Sequence, residues 1–191
     1  MSKTEQTVDR RVRKTKKLLL DGLTQLMQTK DVSDISVKEL SDLVDINRGT
    51  FYLHYRDIFD MLSKVEDELF DRFNEIVIRD FNPEPGSSPL PFLQDICYYL
   101  RDNENVVRAL IGPHGDLAFV NRLKDLVRNR IEQIWNTKEF HSEHLEYYFS
   151  FIISGCLGLI ETWFGTGLKQ TPDEVAKLAT DLLTSTIQIF S

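Results

Sequence analysis

Nine residues, Asn47 to Tyr55 (NRGTFYLHY), carry the densest chemistry in the chain. Asn47 is a good helix N-cap, which places Arg48, Gly49 and Thr50 in the first turn of a short helix. A guanidinium there has the fork geometry to pair with guanine O6 and N7. Gly49 removes a side chain where a helix end must approach nucleic acid, and Thr50 can donate to a phosphate or touch a thymine methyl. Tyr52 and His54 can hydrogen-bond phosphates on the flanks. Phe51 and Tyr55, four apart, share the opposite face and are expected to pack on neighbouring helices. Ser36 and Lys38 open the preceding helix, where free backbone N–H groups favour an anion. Helix 36–43, turn 44–46 and helix 47–55 together have helix-turn-helix spacing, in which the second helix enters the major groove and its first residues reach base edges. Two short helices and a turn also occur in all-α proteins with no such role.

Other reactive residue types do not assemble. His141 and His144 lie three apart with Glu143 between them and could converge on a metal, but they sit at an expected helix start with no cysteine nearby. A solvated cap is preferred there, so no metal and no cofactor is expected. His114, in the GPHG segment, carries no comparable signal. Cys97 and Cys156 make neither a disulfide framework nor a metal spacing, which fits a reducing cytosol and a cytoplasmic protein. No Ser/His/Asp order, phosphate-cradling glycine loop or convergent carboxylate pair is visible, so an enzyme is not expected.

These residues need elements to hold them, and nearly the whole chain reads as helix: an all-α protein of about nine helices. The 191 residues are 41% hydrophobic, enough for a sizeable core. The net charge of −7 is unevenly spread. Residues 1–57 hold 11 Lys/Arg against 9 Asp/Glu, whereas residues 58–191 hold 12 against 21. Such a basic front on an acidic body marks either a nucleic-acid end with a separate partner end, or only a solvated N-terminus. A first helix is expected from about Asp9 to Gln28, with Val12, Leu19, Leu23, Leu26 and Met27 near one face. Ser36 and Glu39 form a capping-box pattern for the second, and Val37, Leu40 and Leu43 or Val44 supply its inner face. Asp45 fits a left-handed turn position. Asp57 can cap a long fourth helix, 58 to about 80, with Phe59, Leu62, Val65, Leu69, Phe73, Ile76 and Val77 on its apolar side. Breaks are expected at FNPEPGSSPLP, which holds Pro83, Pro85, Pro89 and Pro91, and at Gly112–Gly115. One or two helices lie between these breaks. Further helices are expected over 117–136, 142–164 and from Thr171, where Thr-Pro-Asp-Glu combines an N-cap, a first-turn proline and a capping glutamate. No signal peptide is expected. The apolar run Tyr147–Ile160 is shorter than the ~20 residues of a membrane span and is expected to be a buried helix, with no membrane partner.

The segment Ile35 to Leu62, ISVKELSDLVDINRGTFYLHYRDIFDML, resembles the DNA-binding part of the TetR family of transcriptional regulators. That pattern is a Thr/Ser-Val-x-x-Leu/Ile-Ala helix, a Gly-Val-Ser-x-Gly-Thr turn and helix, then Leu/Phe-Tyr-x-His/Tyr-Phe/Tyr. Two departures stand out. Asp45 replaces a usual turn glycine, which implies a slightly strained turn, and Ile58 replaces a lysine that often contacts phosphate, which removes one anchor. Phe151 to Leu183 is similar to the C-terminal domain of one branch, with a Gly-x-x-Gly-x-x-x-x-Trp core at Gly155, Gly158 and Trp163, and Ala109 to Phe119 fits the same branch. The resemblance implies a helix-turn-helix domain over 1–57 and a larger domain over 58–191. It further implies a homodimer, usually a repressor, that leaves near-palindromic operator DNA when a small-molecule effector binds the larger domain.

The body adds physical expectations of its own. Helix 142–164 carries an apolar stripe beside Ser154, Gly155 and Gly158. Glycine inside a helix costs roughly 1 kcal/mol against alanine, which suggests the close approach of another helix. The last helix offers a second stripe, so Gly155, Gly158, Leu159, Thr162, Leu178, Leu182 and Thr186 are expected at an isologous four-helix interface. The same faces could instead pack within one monomer. Of the aromatic residues crowding the middle, Phe73, Tyr98, Phe119, Phe151 and Trp163 are the candidates to line an apolar effector cavity, against the plain alternative of core. Two other functions stay open: a regulator-like co-activator or adaptor with weak DNA binding, and a ligand-binding helical protein with no DNA role.

Overall fold

The computed structural model describes residues 3–80, 87–135 and 145–189, and every regular element among them is helical. In chain order these are α1 (Lys3–Leu26), a 3-10 turn at Val32–Asp34, α2 (Val37–Leu43), α3 (Arg48–Tyr52), α4 (Ile58–Asp80), α5 (Leu90–Asp102), α6 (Glu104–Ile111), α7 (Leu117–Trp135), α8 (Leu145–Gly165) and α9 (Pro172–Ile189). They form two compact units. The first runs to Glu68 and includes Asn105–Leu117; the second takes Leu69–Glu104 and the residues from Ala118 onward. The division falls inside α4, eleven residues past the 57/58 boundary expected from sequence, and it groups α6 with the helix-turn-helix.

In the first unit, α1 packs on α2 and α2 on α3. Their shared core is Leu19, Leu23, Met27, Leu40 and Phe51, closed by Tyr55, Ile58, Met61 and Leu62 from beyond α3. Gly22 lets α1 and α2 approach: a Cβ there would stand 2.4 Å from Val44 Cγ1 and 2.9 Å from Leu40 Cδ1. Helix α1 starts six residues before the expected Asp9, because no breaker interrupts the sequence between Lys3 and Asp9. The inner face of α4 also differs from expectation. Phe59 is 57% exposed, and its neighbour Ile58 takes the inward place.

In the second unit, α9 packs against α5 and α8. Phe92, Ile96 and Leu100 of α5 are buried, as are Val175, Ala176 and Ala179 of α9 and Phe149, Trp163 and Phe164 of α8. The start of α9 is the predicted capping box. Thr171 N–H donates to Glu174 Oε2 at 2.7 Å, and Glu174 N–H donates back to Thr171 Oγ1 at 3.3 Å. The Thr171 N–H, and after it the Thr171 hydroxyl donating to the same carboxylate oxygen at 2.9 Å, hold the Glu174 carboxyl below its ordinary pKa. Asp173 ties the two helices, accepting from Tyr98 Oη at 2.7 Å and Gln94 Nε2 at 2.9 Å.

Helix α8 departs from the buried helix expected. By length and composition Glu146–Gly165 could cross a membrane, and only 22% of that stretch is buried within the chain. One side of α8, with Phe149, Trp163 and Phe164, enters the core, while Tyr147 and Phe151 remain 74% and 67% exposed. The expected helix start at 142, the His141/His144 pair, Pro83 and Pro85 lie outside the described residues.

Candidate nucleic-acid interface

Local bonding builds the α2–turn–α3 unit. Ser36 Oγ accepts from Glu39 N–H at 3.1 Å and so caps α2. The reciprocal half of the expected capping box is absent: the Glu39 carboxylate pairs with Lys30 Nζ instead. A cation reaching from the turn after α1 outcompetes a backbone N–H for that carboxylate. Helix α2 closes through Ile46 N–H to Ser41 O at 3.0 Å, with Asp45 at φ 53° between them. The left-handed position read from sequence is therefore real, and it is occupied by a residue with a Cβ, at some steric cost.

Asn47 Oδ1 accepts from Gly49 N–H at 2.7 Å and caps α3. A Cβ on Gly49 would lie 3.2 Å from that same oxygen, so glycine keeps the cap uncrowded. The helix is shorter than the span 47–55 expected. It ends at Tyr52, and His54 and Tyr55 follow in a turn whose N–H groups still donate to Phe51 O at 2.9 and 3.0 Å.

The rings divide into two sets. Phe51 is fully buried, Tyr55 is 6% exposed, and their centroids stand 5.6 Å apart. Burial, aided by the Glu68 and Asp60 carboxylates, pushes the Tyr55 phenol above its usual pKa. Tyr52 is 58% exposed on the other side. Ser36, Lys38, Asn47, Arg48 and Gly49 are exposed, and Thr50 and His54 are half-buried. A five-residue helix has no stability of its own. Phe51 and Tyr55 therefore act as the anchor that turns the Arg48 side outward.

Three features of this unit escaped the sequence reading. Leu53, at the end of α3, is 79% exposed. His114 Nδ1 lies 2.6 Å from Asp31 Oδ1, so the loop after α6 meets the segment before α2. The third is a charge cluster around Asp60, whose side chain is only 8% exposed. It accepts from the Arg56 backbone N–H (3.0 Å), Nε (3.2 Å) and Nη2 (3.0 Å), and from Lys64 Nζ (2.9 Å). Lys64 also donates to His54 O at 3.3 Å and stands 5.3 Å from the Tyr55 ring centre, which fastens the end of α3 to α4. The hydrogen bond from Lys64, then those from Arg56, hold the Asp60 carboxyl down to about 2. Asp57 Oδ1 accepts the Asp60 N–H at 2.7 Å, as expected of the α4 cap. The spacing 56, 60, 64 is an i, i+4, i+8 ladder visible in the sequence, but its first member, Arg56, precedes α4 and reads as loop.

In the second unit the five effector-lining candidates do not form one enclosed set. Phe119 and Trp163 are buried, Phe73 is half-buried, and Tyr98 and Phe151 are 38% and 67% exposed. Tyr98 is engaged by Asp173, whose hydrogen bond raises the phenol pKa, and the Trp163 indole N–H donates to Gln170 O at 2.9 Å. This unit carries an open cleft along α7, lined by Phe70, Asn121, Arg122, Asp125, Leu126 and Asn129 and by none of the five.

Six of the seven self-association candidates are exposed or half-buried. Gly155 and Thr162 are exposed, Gly158 and Leu159 half-buried, and Leu178 and Leu182 are 49% and 50% exposed. A Cβ at Gly155 or Gly158 would meet nothing within 4 Å. The Thr186 side chain lies outside the described residues. Among the described residues, no group of three or more His, Cys, Asp or Glu could hold a metal.

Comparison with known proteins supplies the context. A family model described as a transcriptional regulator C-terminal region, TetR_C_8, matches residues 87–185, just over half of the chain. No curated protein matches in sequence. Several solved structures share the fold. A transcriptional regulator from Aquifex aeolicus is 13% identical, covering 90% of this chain and 99% of its own, with a TM-score of 0.60. A TetR transcriptional regulator from Streptococcus agalactiae is 19% identical over 93% and 98%, with a TM-score of 0.58. FadR from Bacillus subtilis, solved in complex with stearoyl-CoA, is 13% identical over 87% and 96%, with a TM-score of 0.56. The chain belongs to the TetR family of transcriptional regulators.

Proposed function

We propose that the chain is a homodimeric repressor that binds near-palindromic operator DNA through α3 and is released by a small-molecule effector in the cytoplasm. The observation that carries this reading is the two-sided α3, with Phe51 buried beneath and the capped Arg48 end open to solvent. Arg48 pairs with guanine, Thr50 contacts a thymine methyl or phosphate, and Ser36, Lys38, Tyr52 and His54 hold the flanking backbone. One five-residue helix makes few contacts, so two heads about 34–36 Å apart read successive major grooves.

The half-exposed α8 and the outward Leu178 and Leu182 support a second copy as their cover, giving an isologous four-helix interface. Lipid is the other solvent for such a face. A charged Glu161 within α8 and the polar exposed positions of α9 favour protein. FadR holds stearoyl-CoA in a similar fold, which supports a small-molecule effector here. Helix α4 contributes residues to both units, so an effector that prefers one arrangement of the second unit shifts the DNA-competent population of the first.

The buried Ile58, where a phosphate-binding lysine is usual, favours the second reading, an adaptor with a weak DNA grip. Mobility shift on the DNA upstream of the chain's own gene, at several salt concentrations, separates the two. A regulator gives a sequence-specific shift that weakens steeply with salt. An adaptor gives no sequence preference. Light scattering at micromolar concentration is expected to give a dimer, and a monomer overturns the interface.

A further inference from the structure

We infer that Arg56 is a phosphate-binding residue, seated by Asp60 beside the end of α3; this rests on the DNA-binding reading above. The first residue of α4, Ile58, is 4% exposed and offers no cation. Arg56, two residues earlier, has an 87% exposed side chain, whereas the Asp60 carboxylate beneath it is 8% exposed. Here the carboxylate is sheltered and the outer edge of the guanidinium faces solvent.

The donors divide accordingly. Nε and one Nη2 hydrogen face Asp60 Oδ1, while Nη1 has no partner among the described residues. A guanidinium carries five N–H donors in a rigid fork. Seating two of them inward leaves the outer donors, with fixed direction, for a second oxyanion. Lys64 shares Asp60, so the carboxylate does not cancel Arg56 alone, although the exposed Asp57 cap offsets part of the surplus.

Position completes the argument. Helix α3 has five residues, about 7.5 Å at 1.5 Å per residue, against a major groove about 12 Å wide. With the Arg48 end at the bases, the far end of α3 reaches the groove wall, where only sugar and phosphate are available. Lys64 bonds both Asp60 and the His54 carbonyl, which fixes the seat of Arg56 relative to that end. Such a contact sets position on the duplex without reading sequence.

The test uses the full chain, an operator selected from random duplexes by the wild-type protein, and an unrelated duplex of equal length. Affinity is measured between 50 and 200 mM salt for wild type, Arg56→Gln, Arg56→Lys and, as a control in the second unit, Arg101→Gln. Losing one duplex phosphate contact lowers the slope of log K against log salt by about 0.9, so about 1.8 for a two-headed dimer. Arg56→Gln is expected to show that loss with an unchanged ratio of operator to unrelated binding. Arg56→Lys is expected to keep most of the slope, and Arg101→Gln all of it.

Circular dichroism and the thermal midpoint check folding. On wild type alone, methylphosphonate substitution one phosphate at a time must reveal a backbone position outside the central base contacts. That position must stop mattering in Arg56→Gln. An unchanged slope in folded Arg56→Gln overturns the phosphate role and leaves the DNA-binding reading standing. No duplex binding by wild type overturns both.

Discussion

Gly22 offers a test of the α1–α2 contact that orients the helix-turn-helix. In an exposed helix interior, glycine to alanine gains about 1 kcal/mol. At Gly22 the new Cβ would lie 2.4 Å from Val44 Cγ1 and 2.9 Å from Leu40 Cδ1. Neither neighbour yields easily, since Val44 is β-branched with a stiff χ1 and Leu40 is fully buried. Overpacking of this kind costs about 1–3 kcal/mol, so Gly22→Ala is expected to fall between neutral and about 2 kcal/mol destabilising. Gly22→Val keeps less of the propensity gain and adds two methyl groups to the same gap, for a loss of about 2–3 kcal/mol. Either change can relax only by moving α2 outward, and α3 moves with it, so operator affinity falls in parallel. Urea denaturation gives the stability change from the midpoint, and amide exchange in α2 shows whether the loss is local. A Gly22→Val protein at least as stable as wild type would refute the close α1–α2 approach and, with it, the placement of α3.

Three further outcomes follow from individual residues. Asp45→Gly removes a Cβ from a left-handed position (φ 53°) and is expected to stabilise the first unit by about 1 kcal/mol, read by the same urea titration. Gly155→Ala and Gly158→Ala meet nothing within 4 Å in the single chain, so each should strengthen α8 in a monomer; if a second copy packs there, each weakens the dimer instead, which sedimentation equilibrium distinguishes. The Asp60 carboxyl sits at about 2, below its ordinary value, held by Lys64 and Arg56. Its contribution is therefore complete above pH ~4 and lost as pH falls toward 2, a drop in thermal midpoint that Asp60→Asn should flatten.

Local signals in the sequence were sufficient wherever a feature depends on neighbours within one turn. The caps at Ser36, Asn47, Asp57 and Thr171, the left-handed Asp45 and the breaks around Gly112–Gly115 all belong to that class. The inward and outward rings of 51–55 are legible because the Tyr55 N–H still donates to Phe51 O, which keeps helical spacing past the end of α3. Errors arose where a partner from elsewhere in the chain decides. Lys30 draws Glu39 away from its capping role, and Ile58 displaces Phe59 to the surface. The hydrogen bond from Tyr98 to Asp173, 75 residues away, is equally invisible to local pattern. The exposure of Phe151 on α8 likewise depends on what covers that helix, and periodicity alone cannot say whether an apolar face meets its own chain or another.

Arg48 tests the central claim most directly, because it is the exposed charge on the capped front turn of α3. Mobility shift compares wild type with Arg48→Ala on the selected operator and on its single-base variants. The account predicts a loss of about 1–3 kcal/mol for Arg48→Ala, together with relaxed discrimination at one guanine in each half-site. Equal affinity and equal discrimination in the two proteins would contradict it.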